Sequence, residues 1–117
     1  MTTAEIARKM VAYSNGNRHD VNHFMKVWAF AKTIGECEGL NKASQDILEI
    51  AAIVHDIACP LCREKYGNTN GKYQELEGPA LVRDWVKTNE LPENVVKPGQ
   101  RLILVKEIGN AHKFPKT

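Results

Sequence analysis

The sequence predicts an all-α domain, on two observations. Four stretches repeat apolar side chains every three or four residues, the spacing of one helix face. Residues that start or stop helices stand at the ends of these stretches.

The first element runs from about Thr3 to Tyr13, with Thr2 or Thr3 as its cap and Ile6, Met10 and Val11 as its apolar stripe. The turn-forming run Ser14-Asn15-Gly16-Asn17 stops it. The second has Asp20 as N-cap, the helical series Val21, Phe24, Val27, Trp28, Ala31 and Ile34, and Gly39 as its C-terminal stop. Ser44 caps the third, where Ile47, Leu48, Ile50, Ala51, Val54 and Ile57 form a face too broad for a surface helix. This helix is expected at the centre of the domain, ended by Pro60. Residues Cys59 to Lys72 read as a loop with at most one short helical turn. A fourth helix is expected over Tyr73–Thr88, with Pro79 either in the first turn of a restarted helix or at a kink. Beyond it, Pro92 opens a short helix through Val96, which Lys97-Pro98-Gly99 breaks. The run Arg101–Val105 is too short to assign by period.

A chain of 117 residues fits one domain able to bury its own core. A net charge of +2 favours no polyanionic partner, but the sign is uneven. From Lys97 onward Lys97, Arg101, Lys106, Lys113 and Lys116 face Glu107 alone. The expected organisation is a helical domain over 1–96 and an atypical basic tail over 97–117, read as a solvated end rather than a nucleic-acid site. Three cysteines, no secretory leader pattern and no apolar run long enough for a membrane span point to free thiols in the cytoplasm. Cys59-Pro-Leu-Cys62 has metal-ligand or redox spacing, yet no second pair completes a Cys₄ zinc site and no thioredoxin-like pattern surrounds it.

The pair His55-Asp56 carries the chemistry. His55 lies four residues after Ala51 and eight after Ile47, on the side that the third helix buries. A carboxylate at a helix C-terminus gains nothing from the dipole, whose end there is itself partly negative, and burying it without a cation is costly. A divalent metal resolves the conflict, because imidazole nitrogen and carboxylate oxygen are ligand types that such metals accept. His23, in the first turn of the second helix, is the third candidate. If helices two and three run antiparallel, as the short connection from Gly39 to Ser44 favours, the start of one faces the end of the other.

A His opening one helix and a His-Asp pair ending the next resemble the HD-domain superfamily of metal-dependent phosphohydrolases. Longer stretches are similar to a small bacterial subfamily of it: Arg18-His19-Asp20-Val21-Asn22-His23-Phe24, Ala31-Lys32-Thr33-Ile34-Gly35-Glu36, Val54-His55-Asp56-Ile57, and Glu64 through Pro79. The resemblance covers roughly residues 10 to 96 and implies an HD-like helical bundle. It also implies a divalent ion (Mn, Mg, Fe, Ni or Zn) held by His23, His55 and Asp56, with His55 and Asp56 at the catalytic centre. The metal would activate water against a small phosphate ester, usually of a nucleotide. Lys72, Lys65 or Arg63 are candidates for binding the substrate's phosphate by their place in the sequence. Two departures stand out. Gln74 occupies a position where many HD proteins carry His, although the small subfamily shares the Gln. Relatives also continue into a His-rich segment and a helix bearing a last metal-binding Asp, whereas here no Asp follows Asp84. His112 and Glu107 are the tail residues with ligand atoms. The expectation is a truncated or frameshifted end, and with it a rival reading: an impaired remnant that binds or self-associates as a homo-oligomer.

Overall fold

The computed structural model describes residues 2–91, and these fold into five helices with no strand among them. They are α1 (Thr3–Tyr13), α2 (Arg18–Cys37), α3 (Lys42–Val54), α4 (Cys59–Tyr66) and α5 (Gly71–Asn89). Expectations for Pro92–Val96, the run 101–105, His112, Glu107 and the basic tail fall outside the described residues, as does the boundary at 96.

The all-α expectation holds, with corrections at the helix ends. Thr2 caps α1, its hydroxyl accepting from the Glu5 amide at 3.1 Å. α2 is capped by Asn17, not Asp20: Asn17 Oδ1 accepts from the Asp20 amide at 3.0 Å, and the Asp20 carboxylate is held by Arg63 instead. Likewise Asn41, not Ser44, caps α3, accepting from the Ser44 amide at 2.8 Å. In both cases an Asn three residues upstream offers an equally good oxygen and wins one extra turn of helix. Gly39 does adopt the left-handed conformation expected after α2, with φ of 69°.

The larger correction is α4. The segment read as a loop from Cys59 is helical through Tyr66; α3 already ends at Val54, so Pro60 does not end it but lies in the first turn of α4. A proline in the first turn costs nothing, since the amides there have no intrahelical acceptor. Gly67, at φ of 76°, closes α4. Pro79 lies inside an unbroken α5 rather than at a restart.

The core is built on α3, in which every residue from Leu48 to Val54 is buried. Its Ile50, Ile53 and Val54 meet Ile6 and Met10 of α1, Phe24 of α2, and Val82 and Val86 of α5. A second cluster packs Val27 and Ala31 of α2 against Leu48 and Ala52 of α3. Burying such branched side chains stabilises the fold by roughly 1.5–3 kcal/mol each before entropy is subtracted. α2 and α3 are antiparallel. Trp28 Nε1 donates to Glu49 at 2.9 Å and Gln45 Nε2 to the Lys32 carbonyl at 3.3 Å, so partners fall along α3 as they rise along α2. Extending that order toward the start of α2 leads to the end of α3.

Candidate metal centre

At that end His23, His55 and Asp56 converge. His55 is the C-cap of α3 and Asp56 lies in the turn that follows, just beyond the helix rather than within it. The turn is tight: the Ile57 amide donates to the Val54 carbonyl at 3.1 Å and the Cys59 amide to that of Asp56 at 3.0 Å. The chain thus passes from α3 into α4 while presenting both side chains toward α2.

Three atoms form a closed triangle. His23 Nε2 lies 2.9 Å from Asp56 Oδ2, His55 Nε2 lies 3.1 Å from the same oxygen, and the two Nε2 atoms are 3.2 Å apart. His55 Nδ1 is 2.6 Å from the Ala52 carbonyl oxygen. A carbonyl cannot donate, so Nδ1 carries a ring proton, and in the neutral ring the lone pair on Nε2 then faces the triangle. Asp56 adds a carboxylate oxygen, also an acceptor. Such lone pairs repel one another unless a proton or a cation lies between them. The donor set fits a divalent metal, for which two imidazoles and one carboxylate are a common partial set. The spacing fits too: metal–ligand bonds of about 2.0–2.1 Å at right angles give donor separations of roughly 2.9 Å.

Burial is graded around the triangle. His55 is mostly buried and His23 is nearly half exposed, so the α2 side of the site faces solvent. A shallow depression lined by Tyr13, Ser14, Asp20, Phe24, Asp56 and Pro60 adjoins it. Met10 and Ile53 complete its lining.

Comparison with protein-family models, with curated proteins and with solved structures gives no match.

The lysines expected near phosphate sit at the α4–α5 junction. Lys65 Nζ donates to Glu77 Oε1 at 2.9 Å, and Lys72 Nζ lies 4.9 Å from the centroid of the Tyr73 ring. Arg63 instead reaches α2, where it grips Asp20 with both terminal nitrogens. Gln74 donates to the Thr69 carbonyl at 2.7 Å, which shapes the loop before α5. His19 is a surface residue beside Asp20. Cys59 and Cys62 are buried in α4 as small apolar groups. Burial, with the charges of Asp56 and Asp20 beside it, pushes the Cys59 thiol up to about 12. It therefore stays protonated near neutrality.

Tyr13 is the residue that sequence reasoning missed. Its hydroxyl donates to the Ile57 carbonyl at 3.0 Å, fastening the end of α1 to the turn that bears His55 and Asp56. The available signal was a tyrosine ending an otherwise apolar helix face, a polar tip that needs a partner when buried.

Proposed function

We propose that the chain is a metal-dependent phosphohydrolase of the HD type, with His23, His55 and Asp56 holding one divalent cation. The observation that supports this reading is the triangle of atoms able to ligate a metal, 2.9, 3.1 and 3.2 Å on its edges, contributed by two neighbouring helix ends. A divalent cation there would acidify water and offset negative charge on phosphate oxygens, the two things hydrolysis of a phosphate ester requires.

Each residue has a separate task. His55, fixed by the Ala52 carbonyl, presents one defined lone pair from the buried side. Asp56 lowers the net charge of a bound dication, and His23 closes the site from the solvent side. Two imidazoles to one carboxylate favour Fe, Ni or Zn over Mg, which prefers an all-oxygen shell. The substrate class is a small phosphate ester, a nucleotide in the first instance, approaching over the depression beside Asp56.

The test is elemental analysis of protein purified without added metal or chelator, followed by hydrolysis of nucleotides and of a chromogenic phosphate ester. Activity that disappears with chelator and in His55→Ala supports the proposal. Full activity in either removes the metal from the mechanism.

A further inference from the structure

Arg63 and Asp20 form a second charged constellation beside the triangle. Arg63 Nη1 donates to Asp20 Oδ1 at 3.1 Å while Nη2 donates to Oδ2, the two-pronged arrangement that a planar guanidinium makes with a carboxylate. Asp20 stands three residues before His23 on α2, so one turn separates them on the same face. Asp20 and Asp56 line the same depression. The ion pair is layered: the Asp20 side chain is 12% exposed and that of Arg63 is 38% exposed, so an anion arriving from solvent meets the guanidinium first.

A plain tie between α2 and α4 would leave nothing more to explain, but the donor count leaves something over. A guanidinium has five N–H groups, and the grip on Asp20 uses two of them. The remaining three are not used by that grip, and the side chain is already held by it, so a second anion binds with less ordering cost. The nearby lysines are engaged elsewhere, Lys65 with Glu77 and Lys72 over Tyr73. We infer that Arg63 is the residue that recognises the substrate's phosphate, and that Asp20 is a positioning residue holding it beside the His23–His55–Asp56 centre. The inference rests on the phosphohydrolase reading above and names the group that selects phosphate within it.

The experiment titrates inorganic phosphate into the full chain, loaded with Ni²⁺, by calorimetry, with metal content measured separately. The double variant Asp20→Asn/Arg63→Gln replaces the ion pair by neutral amides, the second on a shorter stem, and avoids a stranded charge. It is expected to keep its metal and its thermal midpoint while phosphate affinity falls about tenfold or more, the loss expected for charge-assisted hydrogen bonds. Arg63→Lys, which keeps the charge and loses the fork, is expected to weaken phosphate several-fold and to raise KM for a phosphate ester more than it lowers kcat. Phosphate binding unchanged in the double variant, or in Arg63→Lys, overturns the inference. Normal metal uptake with no phosphate binding by the parent chain also overturns it, while leaving the metal centre standing. If the parent chain takes up no metal, the centre falls. The metal-free titration then still judges Arg63: binding lost in the double variant supports its role, and no binding at all ends it.

Discussion

The hydroxyl of Tyr13 and the carbonyl of Ile57, 44 residues apart in sequence, are 3.0 Å from each other. Through this bond α1 holds the turn that delivers His55 and Asp56 to the site. The Tyr13 ring is independently placed by an edge-on contact with Trp85, centroids 5.5 Å apart. Tyr13→Phe therefore removes the hydrogen bond and keeps the packing. The expected cost is about 1 kcal/mol of stability, since the buried Ile57 carbonyl loses its donor. Metal affinity is expected to fall roughly tenfold as the turn loosens, which a competition titration measures. Undiminished metal affinity would show that the turn needs no such support.

Metal loading should itself be visible as stability. A ligand that binds only the folded chain stabilises it by about 2.7 kcal/mol at a free concentration one hundred times its Kd. For a domain of this size that raises Tm by roughly 10 °C or more. The rise should vanish in His55→Ala and in Asp56→Asn, because each removes one corner of the triangle. An equal rise in the variants would place the metal somewhere else on the chain.

The meeting of His23 with His55 and Asp56 was legible in the sequence because it needs only two amphipathic helices, a short connection and the helix end on which each residue falls. α4 was not legible, for a chemical reason. Its buried positions are Cys59 and Cys62, thiols that count poorly as apolar in a pattern although they pack as such, and Pro60 reads equally as a stop or a start. The caps shifted to Asn17 and Asn41 because several good capping side chains stand in a row at each start. The grip of Arg63 on Asp20 joins residues 43 apart and leaves no periodic trace. Nor does the bond from Tyr13 to Ile57.

The thiols offer an inexpensive check on α4. Cys37 is exposed at the end of α2, whereas Cys59 and Cys62 are buried. Burial raises both buried thiols, Cys59 to about 12, so neither is ionised enough to react near neutrality. A thiol reagent at pH 8 should modify Cys37 rapidly in the native chain and reach the other two only on denaturation. Rapid modification of Cys59 would mean that residues 59–66 are not a packed helix.

The crossing of α2 and α3 depends on Gly35. A methyl group there would stand 2.1 Å from Gln45 Oε1 and under 3 Å from the rest of that amide. The amide cannot simply swing away, because its Nε2 donates to Lys32 and, at 2.8 Å, to Glu49 Oε2. Glu49 is 4% exposed and receives its other bond from Trp28, so losing Gln45 leaves a carboxylate oxygen in the core without that donor. Gly35→Ala gains about 1 kcal/mol in helix propensity, yet the expected net effect is destabilisation by roughly 1–2 kcal/mol. Gln45→Ala should also destabilise, and the double variant should cost less than the two together, since the methyl then has room. Strict additivity in denaturant melts would show that the methyl is accommodated without disturbing Gln45.

The junction of α4 and α5 should be sensitive to acid. Glu77 Oε1 accepts from Lys65 Nζ at 2.9 Å and from the Tyr66 hydroxyl at 2.8 Å, and these two donors hold its carboxyl below the ordinary value of 4.5. Glu77 thereby steadies Tyr66, whose ring stacks on Tyr73 with centroids 3.9 Å apart. A carboxyl whose value is lower in the folded chain than in the unfolded one contributes stability that is present above the unfolded value. That contribution is lost as pH falls through the folded one. Stability should accordingly decline as pH drops below about 4.5, and Glu77→Gln should remove part of that slope. The variant should be weaker than the parent at neutral pH and converge on it in strong acid. Lys65 is half exposed, so added salt should shrink the difference. Denaturant melts across this pH range that run parallel for parent and variant would show that Glu77 contributes nothing to the fold through its charge.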